Sequence, residues 1–216
     1  SLQKELQAEQ DRMPEATKCG HCITLDHFIL DKDEDMSRAG HKVGLVVLDV
    51  YSKWMEAFPA KSKNAEETKG GLRRYMGPQA EPCYIYSDNS GEIKKAIIDL
   101  KWADRHSTST PNRPQSNGLI EQLMRHVKQG TRSVLLQSGL DTAWWSEAMS
   151  CFCYVHNVLD IGPEDKTAFR RRFGEEFSGP QLAFGCSIRY KPSSPKMHNQ
   201  MHPFGSQTLP GIFMGY

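Results

Sequence analysis

The chain has 216 residues, of which 38% are hydrophobic and 25% charged, and its formal net charge is +1. These values match globular domains and exclude a disordered or fibrous protein, while the longest apolar stretches, such as residues 43–50, are too short to cross a bilayer. Six cysteines without a secretion signal predict reduced thiols in the cytosol or nucleus. The chain begins with Ser1 rather than Met, so we expect it to be part of a longer polypeptide.

The first sixty residues predict a tail followed by three strands. Residues 1–18 have weak helical spacing and are interpreted as a tail or a fraying helix. Residues 22–30 alternate as a strand does, and residues 42–51 form a nearly continuous apolar run rich in Val, which is typical of a buried strand. Residues 53–58 predict a third strand, and Pro59 is expected to end it.

The middle of the chain alternates between helix and strand. Asn64 is expected to start a helix, with Gly70 and Gly71 weakening its interior. Residues 82–87 predict a short strand, followed by a turn at residues 88–91 and a helix that runs to residue 100. A further short strand is expected at residues 105–110.

The C-terminal half of the sequence predicts two long helices followed by a less regular segment. A loop at residues 111–118 should precede helices at residues 119–137 and 141–159. Residues 161–216 are rich in Gly and Pro, with short strand-like pieces, and predict a small appended module or arm. Strands that then alternate with helices indicate an α/β domain with a mixed sheet.

Three acidic residues lie at positions where a carboxylate is either energetically unfavourable or well placed for catalysis. Asp26 interrupts an apolar strand, where Asp is depleted. Asp88 follows a strand at the edge where open α/β sheets place their sites, and Glu121 is expected in the first turn of a long helix. Three gathered carboxylates suit a pair of Mg²⁺ or Mn²⁺ ions, which together can promote phosphodiester chemistry. Taken alone, Asp88 could be an ordinary turn residue and Glu121 could simply complement its helix dipole.

The predicted helix after residue 118 also carries a row of charges. Glu121, Arg125, Lys128 and Arg132 fall on one stripe, so the helix presents one acid and three bases that suit a phosphate backbone. A Glu121–Arg125 ion pair on a solvated face is the alternative. The apolar residues expected on the buried face are Ile120, Leu123, Val127 and Val134. Two further candidates for DNA contact lie before the helix: Arg113 and Asn117.

The sequence resembles the catalytic core of retroviral and retrotransposon integrases. The matching segments, in chain order, are residues 24–26, 47–54, 86–89 with Glu92, 107–110 and 114–121. Sixty-one residues separate Asp26 from Asp88, and 32 separate Asp88 from Glu121, which is slightly fewer than is usual in the family. Residues 210–216 are similar to the closing motif of copia-type retrotransposon integrases.

The resemblance implies a fold, an activity and partners. The fold is ribonuclease-H-like, a mixed five-stranded sheet flanked by helices, with a tail at residues 1–19, the catalytic core at 20–160 and a C-terminal extension at 161–216. The activity is metal-dependent transfer of DNA strands, with Asp26, Asp88 and Glu121 as catalytic residues and ligands of Mg²⁺ or Mn²⁺. DNA ends, target DNA and further copies of the chain are the implied partners, with no membrane, and the implied location is the host nucleus after a cytoplasmic particle. Asp49 matches a structural Asp of the family.

Two other functions remain open. A domesticated or decayed copy would bind DNA or protein without catalysis, and a nuclease of the same fold would cleave without joining. The family also has a zinc module ahead of its core, but here no His precedes Cys19 and only three residues separate Cys22 from Asp26. The zinc module is therefore expected to be absent or reduced to a remnant, and zinc in this chain is expected to be absent.

Overall fold

A computed structural model describes residues 14–108, 114–194, 201 and 204–216 of the chain, without the side chains of residues 114–117. Most of the predicted N-terminal tail and the predicted DNA contact Arg113 therefore lie outside the described residues, as does the side chain of Asn117. None of the helices in the described part combines the length and apolar character that a membrane crossing requires.

The centre of the molecule is a mixed five-stranded sheet. Its strands, in chain order, are β1 (Cys22–Ile29), β2 (Val43–Asp49), β3 (Met55–Ala60), β4 (Tyr84–Ser87) and β5 (His106–Thr108). Across the sheet they run in the order β3-β2-β1-β4-β5. The first three strands are antiparallel neighbours, whereas β1, β4 and β5 are parallel. This arrangement confirms the predicted fold class.

Helices cover both faces of this sheet. They are α1 (Ala65–Met76), α2 (Gly91–Asp99), α3 (Pro114–Ser138), α4 (Trp145–Leu159) and the short α5 (Ala168–Phe173). The side chain of Asn64 caps α1 by accepting a 2.8 Å hydrogen bond from the Glu67 N–H. The cap satisfies one of the backbone donors that are free at a helix start.

The alternation of β1 divides the core into two layers. Ile23 and Leu25 point to the layer under α1 and α2, whereas Phe28 points to the layer under α3 and α4. Successive strand residues face opposite sides, so Asp26 faces the same side as Phe28. The sheet therefore directs the Asp26 carboxyl toward α3.

Pro59 does not end its strand as expected. It lies inside β3, opposite Gly44 of β2. Because β3 is at the edge of the sheet, its outer side needs no hydrogen-bond donors, and a proline that lacks an N–H is tolerated there.

The predicted loop over residues 111–118 is wrong in its second half. Helix α3 already begins at Pro114, a residue whose fixed φ suits the first turn of a helix. Glu121 therefore lies beyond the first turn, where the helix dipole has little influence on it. Helix α1 likewise continues through Gly70 and Gly71. A Cβ atom at Gly71 would lie 2.7 Å from Leu45 Cδ2, so this glycine permits the close contact of α1 with the sheet.

The C-terminal residues pack against the same core. Strands β6 (Ser187–Tyr190) and β7 (Leu209–Ile212) form a separate antiparallel pair, and Phe184 and Phe213 contact the layer under α3 and α4. The ring of Tyr216 stacks on that of Tyr154 in α4 at 4.2 Å. The segment that resembles a copia-type closing motif thus folds back onto α4, while the domain boundary at residue 160 stays a prediction.

Candidate active site

Asp26 occupies the central strand of the sheet and is partly buried. One carboxylate oxygen accepts a 2.7 Å hydrogen bond from the N–H of His27. The pKa of Asp26 is raised from 3.8 to about 6, chiefly by burial, while the carboxyl groups of Asp88 and Glu121 add to the rise and the His27 hydrogen bond and the Lys63 ammonium oppose it. Asp26 is therefore an acid held in an unfavourable environment for its charge.

Asp88 lies next to Asp26 because of the strand register. The parallel pairing of β1 with β4 ends with Leu25 opposite Ser87, so the following residue on each strand is an acid. Asp88 also accepts a hydrogen bond of 3.2 Å from the N–H of Ser90, just before α2. The position is the carboxyl end of a parallel strand, as expected for a site in an open sheet.

Glu121 approaches from the helix that crosses this face of the sheet. Its neighbours Ile120 and Leu123 are buried in the layer that also contains Phe28, whereas Glu121 itself is exposed. Its charge, like that of Asp88, acts on Asp26. The structure thus brings the three predicted acids into one neighbourhood.

The three carboxyls do not form a compact single-ion ligand set. In the described part of the chain, one group of three potential ligands is that compact, and it consists of His126, His156 and Asp160. Two ions about 3.5–4 Å apart would require a wider set of ligands than one ion does. Mutual repulsion also separates carboxylates that no cation bridges.

Lys63 and His27 belong to the same neighbourhood, and no pattern in the sequence singled them out. Lys63 precedes α1, and its ammonium lies 3.9 Å from a carboxylate oxygen of Glu92. His27 Nε2 lies 3.0 Å from the Thr68 hydroxyl. The pKa of His27 is lowered to about 4, chiefly by burial and also by Lys63, against the charges of Asp88 and Glu92, so the imidazole is neutral at pH 7. His27 follows Asp26 on β1 and its side chain faces α1, whereas the position of Lys63 depends on how the segment before α1 packs, which the sequence does not show.

The predicted stripe on α3 is exposed along its length. Glu121, Arg125, Lys128 and Arg132 are all exposed, whereas Val127 is fully buried. The Lys128 ammonium lies 5.1 Å from the centre of the Phe28 ring, which fixes part of its side chain on the protein surface. The helix therefore presents a row of cations beside Glu121, and contact with DNA stays a prediction.

Asp49 has the partners of a structural acid. It is 1% exposed, and its carboxylate accepts hydrogen bonds from the Gly20 N–H (2.7 Å), the Ser52 N–H (2.6 Å) and the Ser52 hydroxyl (2.7 Å). These bonds hold the turn between β2 and β3 against the segment before β1. All six cysteines of the chain are free thiols.

No protein-family model matches the chain, but individual relatives do. Over 193 residues it is 31% identical to the retrovirus-related Pol polyprotein from transposon TNT 1-94 of Nicotiana tabacum, covering 83% of the chain and 14% of that protein. It is 25% identical to the corresponding polyprotein from transposon RE1 of Arabidopsis thaliana, covering 84% of the chain and 12% of that protein. The chain thus spans a small part of the length of the curated relatives it matches.

Solved structures with a similar fold are integrase chains. The integrase catalytic core domain of HTLV-2, in complex with magnesium and in a trimeric form, matches with a TM-score of 0.56 at 19% identity, covering 73% of this chain and 99% of that one. This chain has the fold of an integrase catalytic core. A chain of the simian T-cell lymphotropic virus intasome, in complex with a PP2A regulatory subunit, matches with a TM-score of 0.60 at 19% identity, over 94% of this chain and 70% of that one. The homology to retroelement Pol polyproteins confirms the resemblance identified in the sequence.

Proposed function

We propose that this integrase-like chain is the catalytic core of a retroelement integrase. In this role it is a metal-dependent polynucleotidyl transferase that processes the ends of the element's DNA and joins them to target DNA. The observation that supports the proposal best is the parallel register of β1 and β4, which ends just before Asp26 and Asp88 and so sets these two acids side by side. Burial, and to a smaller extent the charges of Asp88 and Glu121, raise the pKa of Asp26 there. An acid whose charge is disfavoured by burial and by two neighbouring acids favours a site built for cations.

The donor chemistry of these acids suits hard divalent cations. Carboxylate oxygens are the ligands that Mg²⁺ and Mn²⁺ prefer, and Asp26 and Asp88 would hold two ions while Glu121 would complete the coordination of one. When bound, such ions activate an attacking oxygen and stabilise the leaving one. The magnesium complex of the HTLV-2 integrase core, which shares the fold, supports this assignment.

The chain's own residues supply charge and position. Asp26 must lose its proton to act as a ligand, and the nearby Lys63 favours the charged form. Arg125, Lys128 and Arg132 would contact phosphates along α3, with Arg113 and Asn117 near its start. Fixed contacts of this kind orient a DNA strand and neutralise its charge.

The proposed activity also implies an assembly and a location. The related integrase chains occur in an intasome and in a trimeric form, and this supports a homo-oligomer that holds DNA ends and target DNA together. Integration into host DNA requires that the protein act in the nucleus.

A strand-joining assay tests the proposal. Purified chain is incubated with short DNA duplexes and either Mg²⁺ or Mn²⁺, and joined products are measured for the wild type, Asp88→Asn and the control Asp99→Asn. Asp99 is an exposed acid at the end of α2. We expect Asp88→Asn to lower end processing and joining together by at least about 100-fold, with the control unchanged.

Three outcomes would contradict the proposal. Activity that survives in Asp88→Asn would remove the metal role of this acid. A wild-type chain that binds DNA but leaves it intact with both ions would favour a domesticated binding module. Cleavage of a hybrid duplex without any joined product would favour a nuclease of the same fold.

A further inference from the structure

Two histidines and an aspartate meet between α3 and α4, away from the proposed catalytic acids. His126 belongs to α3, His156 lies in the last turn of α4, and Asp160 follows the end of α4. Their nearest ligand atoms all lie within 4.8 Å of one another. His126 and Asp160 are exposed and His156 is half-buried, so an ion from solution can reach the cluster.

We infer that His126, His156 and Asp160 form a binding site for a borderline-soft divalent cation of the zinc class. His126 Nε2 and His156 Nδ1 are 3.4 Å apart. Two nitrogens that each bind a tetrahedral zinc ion at the usual bond length are separated by about 3.3 Å. The imidazole pair therefore already has the spacing of two ligands of one ion.

A single proton cannot satisfy all three ligand atoms of the cluster, whereas a cation that displaces it can bind their lone pairs. His156 Nδ1 lies between His126 Nε2 at 3.4 Å and an Asp160 oxygen at 2.5 Å. That nitrogen carries at most one proton, and a proton donated to Asp160 cannot also be directed at His126. A cation in its place is bound by both nitrogens and the oxygen, with Asp160 moving by about 1 Å to reach bonding distance.

The two helices are fixed close together at this point. A Cβ atom on Gly130 of α3 would lie 2.1 Å from the Phe152 ring of α4, so the absence of a side chain there permits the approach. Asn157, next to His156, is fully buried and hydrogen-bonds both backbone groups of Met55, at 3.0 and 2.7 Å. The part of α4 that contains His156 is thus held in place before an ion arrives.

The surroundings leave one coordination position for another ligand. His126 and His156 line a shallow cavity of about 630 Å³ together with Lys53, Arg125 and Gln129. Because Asp160 neutralises one charge of a divalent ion, the bound site is cationic, and these two bases favour water or an anion as its fourth ligand. We expect the ion to brace α3 against α4.

The site differs in chemistry from the acids of the proposed function, and it does not depend on that function. Glu121 and His126 are five residues apart on α3, or about 140° around the helix. Two imidazoles and one carboxylate favour Zn²⁺ or Co²⁺ over Mg²⁺. The site is also separate from the Cys19–Cys22 segment, and it departs from the expectation from the sequence that zinc is absent from this chain.

Metal titration of the purified chain tests the inference. Binding of Zn²⁺ is followed by calorimetry, and binding of Co²⁺ by its visible absorption, for the wild type, His126→Gln and Asp160→Asn. The control variants remove rival ligands: Cys19→Ser with Cys22→Ser, and His198→Gln with His202→Gln, two histidines that are four residues apart in the sequence. We expect one Zn²⁺ per wild-type chain, and at least about a tenfold weaker affinity in each site variant.

Thermal unfolding gives a second readout. Zn²⁺ should raise the unfolding temperature of the wild type and of both control variants, but not that of His126→Gln. Because His126 is exposed, this variant is expected to fold, and its unfolding temperature without metal checks that it does. Binding that persists unchanged in His126→Gln, or that disappears with the cysteines, or a wild type that binds no zinc, would overturn the inference.

Discussion

Asp26 and Asp49 lie on neighbouring strands and have opposite environments. Asp49 is fully buried, and three donors bind its carboxylate. Asp26 is partly exposed, has one backbone donor, and is close enough to Asp88 and Glu121 for their charges to raise its pKa. One strand apart, the fold satisfies one acid completely and leaves the other with a charge that burial and two neighbouring acids disfavour.

The comparison separates a structural acid from a candidate catalytic one. A buried carboxylate that is fully hydrogen-bonded stabilises its surroundings, and its removal leaves donors without a partner. An acid surrounded by other acids costs stability in the absence of a cation, which is a feature of functional sites. The two residues should therefore respond to substitution with opposite signs.

The largest change in the free energy of unfolding is expected when Asp49 is replaced. Asp49→Ala leaves three donors of Gly20 and Ser52 without their acceptor, and we expect the free energy of unfolding to fall by about 3 kcal/mol. Urea denaturation measures the change, with Asp99→Ala as the control on an exposed acid. A loss no larger than that of the control would show that the turn does not depend on Asp49.

A smaller effect of opposite sign is expected at Asp26. Folding raises the pKa of this carboxyl from 3.8 to about 6, so it destabilises the native state fully above pH 6 and not at all below pH 3.8. Without divalent ions, Asp26→Asn should raise the free energy of unfolding at pH 7 by about 1 kcal/mol, an amount reduced for partial exposure.

The pH dependence sharpens this prediction. The difference between Asp26→Asn and wild type, measured by urea denaturation in EDTA, should shrink as the pH falls from 7 to 4. A variant that is less stable than wild type at pH 7 would instead give Asp26 the structural role of Asp49.

The smallest predicted effect is the loss of DNA affinity when a cation beside Glu121 on α3 is replaced. Replacing Arg125 or Lys128 by Gln should weaken DNA binding similarly for all sequences and reduce the slope of log affinity against log salt by about one. Fluorescence anisotropy at several salt concentrations measures this slope, with Lys95→Gln on α2 as the control. Equal slopes for Lys95→Gln and Arg125→Gln would contradict a specific role for the α3 stripe.

The sequence predicts most of the fold because its signals are local. Alternation in β1 and the Val-rich run of β2 are visible without a structure. The prediction that Pro59 ends the third strand is wrong because an edge strand tolerates proline, and no local pattern shows which strand is at the edge. Helix α3 begins earlier than predicted because Pro114 starts the helix, although its polar and Gly-containing context is typical of a loop.

Sites that depend on packing were harder to predict. Asp26 stood out as an acid in an apolar strand, and the parallel register of β1 and β4 explains its proximity to Asp88. The spacing of His156 and Asp160, four residues apart across the end of α4, is a ligand signal that the sequence contains. His126 is 30 residues from His156 along the chain and comes close to it only because α3 and α4 pack together.

Manganese binding at pH 7 tests the shared role of Asp26, Asp88 and Glu121 most directly. Calorimetry is performed on the wild type, Asp88→Asn and Glu121→Gln, with Glu175→Gln as an exposed control and His126→Gln to remove the second metal site. We predict that Mn²⁺ binds the wild type, Glu175→Gln and His126→Gln with similar affinity. Its affinity for Asp88→Asn and Glu121→Gln should be much lower. Equal Mn²⁺ affinity in the wild type, Asp88→Asn and Glu121→Gln would contradict it.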